Sequence, residues 1–229
     1  MLAQLYTPFA FLGVMSFSAA FFMGFRHQPG APAANILFNI LLFAAFIFVH
    51  IVMTMPGFKK AIFGRPEGTL FERQIYVTVS IVTWVGLYWL HEPLGLFGFT
   101  SPAWLQFIGY CGMILSIVAF FEFATFENIG GLLGKPGTDL SHTVGSETPI
   151  MKEGSYASIR HPMYRAAFFI TFSSLLVHPT AAQLLFAVMT SAGFLGFIPF
   201  EEHQLIKARG DEYRDYMRAT PYRAFHGIW

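Results

Sequence analysis

Charge is scarce in this chain. Only 12% of its side chains are Asp, Glu, Lys or Arg, against roughly 25% in soluble domains, so water is not the solvent for most of its surface. The charges nearly cancel, at a formal +1, which leaves no field to gather nucleic acid. A single cysteine, Cys111, is present; it excludes an intramolecular disulfide and a cysteine-rich zinc site and reads as a small apolar residue inside a helix. No basic segment precedes the first apolar run, which therefore reads as a retained span rather than a cleaved signal. There is no Walker sequence, no GxGxxG after a strand and no His/Glu pair spaced as in HExxH. Soluble-type nucleotide domains and a metal centre are thereby disfavoured.

Apolar residues are abundant: 55% of the chain is hydrophobic, with 28 phenylalanines. A membrane helix needs about 20 apolar residues. Runs suited to that role lie at 8–25, 36–55, 75–90 (extendable to 97), 103–126, 166–177 and 181–200. The last two are separated only by His178-Pro179; because proline breaks the helix ladder, the pair reads as a tight helical hairpin. If the N-terminus is cytoplasmic, every lysine and arginine except Arg26 falls on the same side, as the positive-inside rule requires.

The predicted fold is all-α, a polytopic transmembrane helical bundle of about six spans in a bacterial inner membrane, with both termini cytoplasmic. It forms a single membrane domain over 1–229. Residues 1–126 hold four spans, 127–165 a cytoplasmic loop, 166–200 the hairpin, and 201–229 a cytoplasmic amphipathic helix and tail.

Polar residues concentrate in two places. The segment "EGSYASIRHPMYR" crowds Tyr156, Arg160, His161, Tyr164 and Arg165 against the start of the hairpin. "FIPFEEHQLIKARGDEY" places Glu201 and Glu202 where the hairpin leaves the apolar region. Adjacent carboxylates at a lipid edge are costly unless they meet a cation. Since a hairpin returns to the face it left, His161 and Tyr164 should lie beside Glu201 and Glu202. Such a pocket offers a carboxylate for an ammonium, donors for a carboxylate, and aromatic faces for a flat ring or a sulfonium. S-adenosyl-L-methionine carries all of these groups. The loop before it is long and rich in glycine ("NIGGLLGKPGTDLSHTVGSETP") yet interspersed with Leu132, Leu133, Leu140, Val144 and Ile150, a pattern that suits a lid better than a floppy linker.

"GSYASIRHPMY", followed at hairpin distance by "EEHQLIKARGDEYRDYM", resembles the membrane-embedded methyltransferases related to isoprenylcysteine carboxyl methyltransferase and the phospholipid methyltransferases. "HIVMTMPGFKK", "ERQIYV" and "LYWLHEP" are similar to the branch that holds bacterial methanethiol S-methyltransferases and nurim-like proteins. The resemblance implies that Tyr156, His161, Pro162 and Tyr164 line an S-adenosylmethionine pocket. It further implies that Glu201 takes the amino-acid part, with Glu202 and Arg160 close by and the backbone of Thr148, Pro149, Ile150 and Met151 completing the wall. Two departures are visible: Phe197 stands where the isoprenylcysteine branch has a substrate-holding arginine, and Ile51 follows the histidine where this branch commonly has serine.

The acceptor implied is a small or lipophilic thiol such as methanethiol; the cofactor would enter from the cytoplasmic loop and an apolar acceptor between spans from the bilayer. A lipid amine, a prenylcysteine carboxylate, a non-catalytic nurim-like scaffold and an NADPH-dependent sterol-type reductase are the alternatives; "GFIPF" before the glutamates offers nothing to meet a 2′-phosphate. A thiol must lose its proton, and the base candidates are His50, Glu127 and His142, with Glu122 also near the cofactor side. Membrane lipids are expected partners, and the oligomeric state stays open.

Overall fold

The computed structural model describes residues 2–64, 70–122, 150 and 152–229. Among them the chain is helical, with no strand beyond two isolated bridges that pair His27 with Leu94 and Gly98 with Thr180. The long helices are α1 (Leu2–Met23), α2 (Ala34–Thr54), α4 (Leu70–Leu90), α5 (Ala103–Glu122), α6 (Pro162–Val177) and α7 (Ala181–Arg209). Two short ones, α3 (Pro56–Phe63) and α8 (Asp211–Ala219), complete the set. Three of the long helices, α2, α5 and α7, are long and apolar enough to cross a membrane.

Proline and glycine set the boundaries. Met55 is extended ahead of Pro56, as a residue before proline must be, and Pro56 opens α3 because the first helical position needs no N–H. Gly64, left-handed at φ 72°, closes it. Pro162 opens α6 in the same way. At the hairpin turn the Thr180 hydroxyl accepts the Gln183 N–H at 3.1 Å and caps α7.

The third predicted span differs from the helix observed. It begins at Leu70 and stops at Leu90, without running on to residue 97. The chain past it is held by other partners: Arg26 donates its N–H to His91 Nε2 at 2.8 Å, and Asn39 exchanges hydrogen bonds with both backbone groups of Glu92. The last span differs too. Pro199 removes one backbone donor, yet α7 continues through it to Arg209, so Glu201 and Glu202 lie on a continuing helix and not beyond its end.

Phe21, Phe43, Leu87, Met113 and Phe186 are among the most buried side chains, and Phe25 stacks on Phe186 with ring centroids 3.9 Å apart. α5 and α6 approach closely because Gly112 faces Ser173; a Cβ there would stand 2.5 Å from the serine oxygen. Leu12, Phe48, Phe107, Leu115 and Trp104 lie exposed. A water-facing surface rarely carries so many large apolar side chains, whereas lipid tails accept them. Cys111 is half-buried on α5, less enclosed than the sequence suggested.

Candidate active site

The hairpin brings the two polar clusters together. Tyr164, on the first turn of α6, donates its hydroxyl to Glu201 Oε2 at 2.8 Å. His161, immediately before that helix, places Nδ1 3.5 Å from Glu201 Oε2 and Nε2 3.3 Å from Glu202 Oε1. Its ring lies parallel to that of Tyr164, at 5.5 Å between centroids. Phe194, two helical turns before Glu201, packs on the other side of Tyr164 at 5.4 Å.

The two glutamates have different surroundings. Glu202 is buried and fully engaged: Arg160 Nε reaches its Oε1 at 2.6 Å and Arg223 Nε its Oε2 at 2.9 Å. Arg160 also donates to the Thr220 carbonyl at 2.6 Å. The tail is fastened to the same knot, since the N–H groups of Arg160 and His161 donate to the carbonyls of Tyr222 and Arg223. A buried carboxylate needs such partners, and removing one leaves a charge stranded. Glu201 is more open, its side chain 28% exposed. Among the described residues its second oxygen, Oε1, has no hydrogen-bond partner.

Aromatic residues flank this cluster. Tyr156 lies in a short 3-10 turn at Gly154–Ala157, and its carbonyl accepts the Tyr216 hydroxyl at 2.8 Å. Burial, reinforced by the charge of Glu201, pushes the Tyr156 hydroxyl up to about 12, so it remains a neutral phenol. Burial also raises Tyr213 and Tyr216. Ile150 meets this side of the molecule through its N–H, 3.4 Å from Glu212 Oε1. Thr148, Pro149, Met151, Glu127 and His142 lie outside the described residues, and of Glu122 only the backbone is described.

Tyr164 also lines a cavity of about 350 Å³ that runs into the bundle and is walled by all six long helices. Its surface is largely apolar, with six Phe and five Ile in the lining, and His50, Thr54, Arg73 and Tyr76 stand at one end. The His50 Nδ1 lies 2.7 Å from the carbonyl of Phe46, one turn back in its own helix. A carbonyl only accepts, so Nδ1 carries the proton in the neutral ring and Nε2 keeps its lone pair. The Arg73 guanidinium is 5.6 Å from the centre of the Tyr76 ring. Phe197 contributes to the wall.

Sequence reasoning missed Arg73 and Tyr76 as residues of a cavity. They belong to "ERQIYV", and Arg73 counted only toward the charge bias of a loop. Their spacing was the available signal: on a helix, residues three apart share a face, and α4 begins early enough to carry both.

No protein-family model matches the chain, and no solved structure matches it. It is similar to curated bacterial proteins. The methanethiol S-methyltransferase of Mycobacterium tuberculosis is 29% identical over 204 residues, covering 84% of this chain and 79% of that protein. Methanethiol S-methyltransferase 2 of Bradyrhizobium diazoefficiens is 27% identical over 230 residues, covering 93% and 83%. The methanethiol S-methyltransferase of Pseudomonas deceptionensis is 30% identical over 200 residues, covering 83% of this chain and 73% of the relative. With that extent of likeness, the chain belongs to the methanethiol S-methyltransferase family.

Proposed function

We propose that this methyltransferase moves a methyl group from S-adenosyl-L-methionine to the sulfur of methanethiol, giving dimethyl sulfide. The observation that carries the reading is the meeting of Tyr164 and Glu201 at the edge of an apolar cavity that also holds His50. The relatives' names support the acceptor.

The residues present fit the methyl donor. Glu201 keeps one carboxylate oxygen open, which suits an ammonium. His161, Tyr164 and Tyr156 supply aromatic faces that accommodate a sulfonium or a flat base. Ile150, with Thr148, Pro149 and Met151 beside it, would complete the wall from the loop, and Pro162 fixes the turn that aims His161 and Tyr164. Arg160 and Glu202 brace this pocket through each other. When bound, S-adenosylmethionine supplies an electrophilic methyl group on a positively charged sulfur.

The chain's own work is alignment, exclusion of water and removal of one proton. His50 is the base in this reading, because its Nε2 lone pair belongs to a side chain that lines the cavity; Glu127 and His142 lie outside the described residues. Arg73, in the same wall, favours the thiolate once the proton has left. Phe197 lines the wall and gives a carboxylate acceptor no ion partner.

In the membrane, α1, α2, α4, α5, α6 and α7 act as six spans, with both termini and the loop at 123–149 on the cytoplasmic side of a bacterial inner membrane. The supporting pattern is the placement of every lysine and arginine but Arg26 at one end. The donor then arrives from the cytoplasm, and the uncharged acceptor can arrive through lipid.

Incubating the purified protein with S-adenosylmethionine and methanethiol, and assaying the headspace, tests the reaction. Dimethyl sulfide should accumulate with one equivalent of S-adenosylhomocysteine. A protein that binds the donor but yields neither product would refute the assignment.

A further inference from the structure

The cavity is larger than methanethiol requires. An apolar cavity of about 150 Å³ already holds benzene, and this one measures about 350 Å³. It is also long. Its lining extends on α2 from Phe43 to Thr54 and on α4 from Arg73 to Trp84, which at the helical rise is about 16 Å in each case.

The two ends differ chemically. The inner end carries His50, Arg73, Tyr76 and Tyr164. The far end is closed by Phe17, Phe43 and Trp84, with the Phe17 and Trp84 ring centroids 4.7 Å apart. Between them the lining includes the small residues Ala166, Ala167 and Gly193. An elongated chamber, with its charged and titratable groups at one end and Phe17, Phe43 and Trp84 at the other, matches a molecule that is polar at one end and apolar at the other.

We propose that the chamber takes alkyl thiols of medium chain length, tail toward Trp84 and sulfur at the polar end, and that methanethiol fills only the polar end. The inference rests on thiol methylation as the reaction. The acceptor sulfur gives its proton to His50 Nε2 and forms the new carbon–sulfur bond, while the electron pair of the donor's broken carbon–sulfur bond stays with the departing sulfide. Each methylene moved from water into the chamber adds favourable apolar burial, so KM falls with chain length until the tail reaches Trp84.

Thr190 offers a way to shorten the chamber. It lines the far portion, one turn beyond Gly193, and its hydroxyl has no hydrogen-bond partner among the described residues. Thr190→Phe therefore adds bulk without sacrificing a bond. Ser80→Leu is a second change that adds bulk to the wall; the Ser80 hydroxyl donates to the carbonyl of Tyr76 in its own helix.

The test uses the full chain in detergent, with 1-octanethiol and its methylated product, methyl octyl sulfide, as probes. Without any methyl donor, methyl octyl sulfide should raise the unfolding temperature saturably, and the shift should shrink in Thr190→Phe or Ser80→Leu. With donor, 1-octanethiol should be methylated with a kcat/KM at least tenfold above that of methanethiol and should compete with it. In the shortened variants that advantage should vanish while methanethiol turnover persists, which also reports that they fold. If methanethiol is methylated but 1-octanethiol neither reacts nor competes, and its product gives no saturable shift, the inference is overturned and the assigned reaction stands. Turnover of 1-octanethiol without methanethiol would support the chamber and overturn the small acceptor. Failure of both thiols would overturn both readings.

Discussion

Tyr164 and Glu201 are 37 residues apart in sequence and joined by a 2.8 Å hydrogen bond. They stand on opposite arms of one helical hairpin whose turn is His178-Pro179-Thr180. The bond holds one carboxylate oxygen and leaves the other open, so the site is ordered before any ligand arrives. Preordering matters because an alignment catalyst gains little from groups that must first be fixed in place.

Removing only the hydroxyl isolates that effect. Tyr164→Phe keeps the ring that stacks on His161 and Phe194. Its loss should weaken methyl-donor binding by about 1 kcal/mol, the ordinary worth of one hydrogen bond. Steady-state kinetics should show a donor KM several-fold higher.

Glu202 should behave differently from its neighbour. Glu202→Gln strips the charge that meets Arg160 and Arg223 in a buried setting, where breaking a pair costs about 3–5 kcal/mol. Thermal unfolding in detergent should fall sharply. Arg223→Ala should cost less, because that side chain is 31% exposed.

The base assignment has a pH signature. His50→Ala should lower kcat about 10²–10⁴-fold near neutrality without changing donor affinity. The deficit should narrow as pH rises toward the thiol's own range, above about 8.5, because the solution then supplies thiolate. A deficit constant across pH would assign His50 to packing instead.

A second histidine governs stability at the opposite end of the bundle. His91, in the connection after α4, is buried and lowered to about 4 from 6.5. Burial is the main cause, opposed by the bond to the Tyr88 carbonyl and reinforced by Arg26. Its Nε2 accepts the Arg26 N–H, so a proton there would break that bond. The unfolded chain binds the proton more readily. The stabilisation is therefore complete above about pH 6.5 and lost as pH falls toward 4, on the order of 3 kcal/mol in all. Unfolding temperature measured from pH 7 to pH 4 should drop in the wild type and drop less in His91→Gln, which accepts the bond and does not titrate.

The hairpin was legible in the sequence because two apolar runs flank a lone His-Pro, and a return to the same face is what such a turn imposes. The pairing of Arg160 with Glu202 was less so: nothing in local spacing chooses Glu202 over Glu201 or Glu122, and only the tail folding back at Thr220 to Arg223 fixes it. The last span read from the sequence ends at residue 200 with a separate helix after it, whereas α7 runs unbroken through Pro199 to Arg209, because one missing donor does not end a helix. The cavity was not legible at all. Its wall draws on six helices, and no periodicity within one helix records which faces leave space between them.

The most direct test is calorimetric titration of S-adenosylhomocysteine into the wild type and Glu201→Gln. The open carboxylate oxygen should hold the ligand's ammonium, a charge-assisted contact worth about 1.5–3 kcal/mol, so Kd should rise at least tenfold while the unfolding temperature of the unliganded protein stays near the wild-type value. Equal affinity in the two proteins would place the donor away from the hairpin's return and contradict the site described above.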